Sequence, residues 1–154
     1  MPKIKTVIET YDSCVAEGYY KITEEVNIEL IKSLLDDGKT NIECAQIIIK
    51  SISKNAKQWK NVFKNYYDAL HSYAEGLLYF HSIKSANHQC LFASLCIKYP
   101  SLELDWEFLE QIRVKRNSIS YYGESITYGD WKKIEFQLTL YCSSLNKEIE
   151  KRLI

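Results

Sequence analysis

Apolar side chains recur at spacings of three and four over most of the chain, the period of helices that bury one face. Glycine and proline are scarce, five and two, and no proline stands between Pro2 and Pro100. The pattern predicts an all-α fold, an up-and-down bundle of four to five main helices with an N-terminal extension. A short first helix is expected over 4–17. Thr23 is a suitable N-cap for a second helix, which carries Val26, Leu30, Ile31, Leu34 and Leu35 on one face and ends at Gly38. Thr40-Asn41-Ile42-Glu43 then reads as a capping box opening the next helix. This division gives an extension over 1–40 and a bundle over 41–154, together one compact domain.

From Ile42 to Phe80 the three-four alternation runs unbroken through Ala45, Ile49, Ile52, Ala56, Trp59, Phe63, Tyr66, Leu70, Tyr73 and Leu77. One helix of ~40 residues would be ~60 Å long, whereas a domain of this size is ~40 Å across. A break is therefore expected between 52 and 62, where Ser51, Ser53, Asn55, Asn61 and Asn65 dilute the apolar content. The competing expectation is a single long helix that reaches a partner chain. Further helices are expected over 87–99, stopped by Pro100, and over 104–121, ended by Gly123. Thr127-Tyr128-Gly129-Asp130 caps a last helix running from Trp131 to near the C-terminus.

Composition adds constraints. The 154 residues suffice for one domain with its own core, and 46% of them are hydrophobic. Lys+Arg and Asp+Glu are 20 each, which disfavours a nucleic-acid binder working by bulk charge but leaves room for a local basic patch. The five cysteines (Cys14, Cys44, Cys90, Cys96 and Cys142) form neither a CxxC nor a zinc spacing, and are expected to act as small hydrophobes in a reducing compartment. No secretory leader is read in Met1-Pro2-Lys3-Ile4-Lys5, and no apolar run is long enough to span a membrane. A cytoplasmic protein is the expectation. His71, His81 and His88 fit no metal-ligand spacing, so neither a metal nor a cofactor is expected.

Arginine is the informative residue type: only Arg113, Arg116 and Arg152 occur, against a background of lysine. Leu109, Ile112, Arg116 and Ile119 are spaced three, four and three, so Arg116 falls in the apolar seam of its helix. A guanidinium there needs a partner. One reading is a bridge to Glu75 or Glu110. The other is a pocket in which Arg113, Arg116, Asn117, Ser120, Tyr121 and Tyr122 meet a phosphate, although a helix C-terminus disfavours an anion. Lys50, Lys54, Lys57, Lys60 and Lys64 recur without an intervening acid and with Trp59 among them; a solvated face is the plain reading and a phosphate-tracking stripe the sharper one. The 12 tyrosines are expected in the core and at an interface, with hydroxyls that need partners where buried.

Two segments resemble the HEPN family. The first begins Tyr66-Tyr67-Asp68-Ala69-Leu70-His71 and continues through Ile83-Lys84-Ser85-Ala86-Asn87-His88. The second is Arg113-Val114-Lys115-Arg116-Asn117-Ser118-Ile119-Ser120-Tyr121-Tyr122-Gly123. The resemblance covers roughly 60–150 and implies a helical homodimer in which the arginine helices of two protomers line a cleft. Nuclease members carry an arginine, a polar residue and, a few positions on, a histidine. Arg116 and Asn117 match the first two, Tyr121-Tyr122-Gly123 stands where the histidine would, and no histidine follows His88. Arg116 is thus the catalytic candidate only if the chain is a nuclease. An ordinary tyrosine hydroxyl, with a pKa of ~10, is a poor base at neutral pH. The expectation is a homodimer that binds a nucleotide or RNA phosphate without cleaving it. The alternatives are a metal-independent ribonuclease of the toxin–antitoxin type with a non-standard base such as His88, and an adaptor bundle. The resemblance also raises a nucleotidyltransferase as partner. In some members that enzyme modifies a tyrosine two places after the histidine; Gly123 stands there.

Overall fold

The computed structural model describes residues 5–154, so the expected helix start at residue 4 and the reading of the first four positions lie outside it. Six α-helices and two short strands are present among these residues: α1 (Val7–Ala16), β1 (Tyr20–Ile22), α2 (Ile28–Ser51), α3 (Trp59–Tyr79), β2 (Ile83–Ser85), α4 (His88–Lys98), α5 (Trp106–Tyr122) and α6 (Tyr128–Arg152). The all-helical expectation holds. The exception is a small antiparallel sheet that pairs Tyr20 with Ser85, Lys21 with Lys84 and Ile22 with Ile83.

α3 is the central post. Thirteen of its residues are buried, among them Phe63, Tyr66, Tyr67, Leu70, Tyr73 and Leu77. α2 and α6 pack along it, α4 and α5 lie on its other flank, and α1 rests mainly on α4. The expected break falls at 52–58, between α2 and α3, and Asn27 caps α2 in place of Thr23. Asn87, Asp105 and Thr127 cap α4, α5 and α6, the last through a full capping box with Asp130. Gly123, in the left-handed region, closes α5.

Gly38 does not end a helix, and the expected capping box at 40–43 does not form, because α2 continues through both. The boundary expected at residue 40 therefore falls inside α2. The glycine serves an approach: a Cβ there would overlap the Tyr73 ring of α3. Helix propensity is spent for contact between two axes.

The cysteine expectation is corrected. Cys14 of α1 and Cys90 of α4 form a disulfide with a Cα–Cα separation of 5.9 Å, while Cys44, Cys96 and Cys142 are free. The spacing rule searched for nearby pairs, and this pair is 76 residues apart. A loop of that length corresponds to about 4.5 kcal/mol of stabilisation on the chain-entropy account.

Candidate polar cleft between α4 and α5

The polar cluster expected on α5 exists, and the first turn of α4 completes it. Asn87 Oδ1 accepts from the Cys90 amide, fixing the start of α4. His88 and Gln89 then face α5. Gln89 Nε2 donates to Glu110 Oε2 at 3.0 Å, and Arg113 grips the same carboxylate through Nε (2.8 Å) and Nη2 (3.0 Å). The bridge foreseen between Arg116 and Glu110 is not formed, because Arg113, one turn earlier on α5, takes that carboxylate. It holds the Arg113 guanidinium pKa above its usual value, chiefly through the Glu110 hydrogen bonds and against desolvation.

Arg116 has a different partner. Its Nε lies 3.7 Å from Asp68 Oδ1, too long for a hydrogen bond, and that buried nitrogen has no acceptor. Its Nη1 donates to Ser120 Oγ, and the guanidinium carbon stands 5.9 Å from the Tyr67 ring centre. The side chain is 22% exposed, so it is turned inward as its seam position predicted. Glu75, the other expected partner, instead meets His71 Nδ1 at 2.7 Å.

His88 ties the cleft to α3. The Tyr67 hydroxyl and His88 Nδ1 are 2.9 Å apart, and the His71 and His88 rings lie 4.0 Å centre to centre. Burial, then the neighbouring His71 and Arg116, push the His88 pKa down to about 4. The ring is neutral near pH 7, burial drives the Tyr67 pKa upward so that its hydroxyl keeps its proton, and the two neutral groups share one hydrogen bond whose direction follows the imidazole tautomer. His88 thus ties α4 to the core, while Asn87 caps the helix.

A cavity of about 350 Å³ opens here, lined by Ala86, Asn87, His88, Gln89, Arg113, Asn117 and Tyr121. It unites three of the six predicted site residues. Arg116 and Ser120 bond one another beside it, and Tyr122 projects away, 80% exposed. Sequence reasoning disfavoured an anion because of the α5 C-terminus; it missed the facing α4 N-terminus, whose positive end opposes that effect. The Asn87 cap next to His88 and Gln89 was the available signal.

Elsewhere, Lys54 lies 5.3 Å from the Tyr128 ring centre and Trp59 is buried, so the lysine stripe offers no aromatic platform at Trp59. Among the described residues no cluster of three His, Cys, Asp or Glu side chains is placed to hold a metal. No described helix is long and apolar enough to cross a membrane. No protein-family model matches the chain, and no curated protein or solved structure matches it.

Proposed function

We propose that the chain is a HEPN-like homodimeric cytoplasmic protein whose α4–α5 cleft binds a nucleotide or RNA phosphate without cleaving it. The observation that carries this reading is the meeting of Arg113 and Asn117 with the start of α4 around one cavity. Arg113 Nη1 makes no bond to Glu110, and backbone N–H groups of a helix's first turn suit an anion. Tyr121, 76% exposed at the rim, supplies a flat surface for a base. Tyr121 at the rim and its neighbour Tyr122 leave exposed aromatic surface at the end of α5, which supports a second copy seated there.

Calorimetric titration with mononucleotides and short RNAs tests the reading. Saturable heat that is lost in both Arg113→Ala and Arg116→Ala supports it. No heat with any of these, from a protein that melts normally, overturns it and leaves the adaptor bundle.

A second reading, metal-independent ribonuclease, draws on the neutral His88 imidazole inside the cavity. Against it stands the weak basicity of a ring with a pKa of about 4. RNA cleavage in EDTA that disappears in His88→Gln would establish it, and intact RNA after prolonged incubation would remove it.

A further inference from the structure

The Cys14–Cys90 disulfide joins the short helix α1 to α4, the helix that opens the cleft. α1 has ten residues, too few for a stable isolated helix. Only Thr10 and Cys14 of it are buried, and the Thr10 hydroxyl has no partner. Ile8 and Val15 point outward, 61% and 55% exposed. The non-covalent anchors of α1 are few: Val7 and Tyr11 pack partly buried against the core, the Tyr11 and Tyr20 ring centres lie 5.5 Å apart, Trp106 Nε1 donates to the Lys5 carbonyl at 2.9 Å, and β1 is held by β2 and by the Tyr20 hydroxyl bond to the Cys90 carbonyl at 2.6 Å. Between α1 and β1, Gly18 adopts a φ of +73°, a ready pivot.

We infer that this disulfide is a reversible latch: a dithiol reductant opens it, α1 swings away about Gly18, and the flank of α4 beside the cleft is uncovered while the bundle stays folded. Both cysteines are buried, yet both line a cavity of about 300 Å³ that also touches Asn87 and Gln89, which line the cleft as well. The cavity gives the incoming thiolate a route to the bond. That thiolate attacks Cys14 Sγ, the S–S bond breaks, and Cys90 leaves as a thiolate in the first turn of α4, where the helix end favours negative charge. The reductant's second thiol then displaces Cys14. Two electrons and two protons pass to the protein, and the dithiol ends as a disulfide. The step requires only a dithiol of the kind a reducing compartment maintains, so the latch rests on the cytoplasmic part of the reading above but not on any ligand of the cleft.

Hydrogen exchange on the full chain, read by mass spectrometry with and without dithiothreitol, tests this without a ligand. Alkylation counts thiols in parallel: three in the oxidised protein and five after reduction. The expected result is an exchange rate across residues 7–16 at least ~10-fold faster after reduction, with α3 unchanged within about twofold. Cys14→Ser should show the fast rate in either condition. The proposal is overturned by any of three results: an air-oxidised protein with five free thiols, a bond that dithiothreitol does not open without denaturant, or an α1 that stays protected once five thiols are counted. Loss of protection in α3 together with α1 also overturns it, because the bond would then support the whole fold.

Discussion

The two flanks of α3 follow different physics. Positions 66, 70, 73 and 77 carry Tyr66, Leu70, Tyr73 and Leu77, all buried toward α2 and α6, with glycine used for close approach: Gly38 beneath Tyr73, and Gly76 with a would-be Cβ 3.4 Å from Ile149 and 3.9 Å from Ile31. Positions 67, 68, 71 and 75 carry Tyr67, Asp68, His71 and Glu75, which meet His88, Arg116 and one another. The first flank fixes the helices by shape; the second by hydrogen bonds between groups that are each partly desolvated. One of its polar groups, Arg116 Nε, is left without an acceptor.

The largest effect is expected where shape alone rules. Gly38→Val forces a branched side chain into the Tyr73 ring and should cost ~3 kcal/mol, lowering the thermal midpoint on the order of 10 °C. Tyr73→Leu in the same chain should restore part of the loss, and a melt unchanged by Gly38→Val would dissolve the contrast between the flanks. Next, Glu110→Gln leaves the Arg113 guanidinium and Gln89 competing for a weaker acceptor. A loss of about 2 kcal/mol in urea titration is expected.

Acid sharpens the comparison further. The His88 pKa is lower in the folded protein than its ordinary value, so the unfolded chain binds the proton more tightly. The resulting stability is complete above pH ~6.5 and lost as pH falls through about 4. Melting curves across that window should fall less steeply in His88→Gln; identical slopes would mean that the Tyr67–His88 contact does not persist in solution. Smallest is Arg116→Ala, whose ion pair is long and partly exposed: a stability change below ~1 kcal/mol is expected, together with loss of phosphate binding. A stability loss several times larger would move Arg116 from the cleft to the framework.

The same contrast explains what the sequence disclosed. The apolar stripe of α3 announces itself by period, and the 52–58 break follows from helix length against domain size. Arg116 was legible because a charge in a seam position is anomalous. His71 and His88 were not, because isolated histidines at unrelated spacings look like surface residues until α3 and α4 bring their rings together. Gly38 was misread since a helix-ending glycine and a contact glycine are identical in sequence. The Cys14–Cys90 pair was hidden for a related reason: its proximity is a property of the fold and not of the chain. The short strands at 20–22 and 83–85 carry no alternation long enough to read.

The connection at 52–58 has a consequence for the integrity of the molecule. Lys54 and Lys57 are exposed there, while Ile52 and Ala56 are only partly covered. Trypsin can nick this stretch without touching the packed faces of α2 and α3. The two pieces would stay assembled, and the Cys14–Cys90 bond spans the cut. On a non-reducing denaturing gel the nicked protein therefore migrates as a single species, and it falls into two bands only when thiol is added. The chain can thus survive a severed backbone as a covalently linked heterodimer of its own fragments.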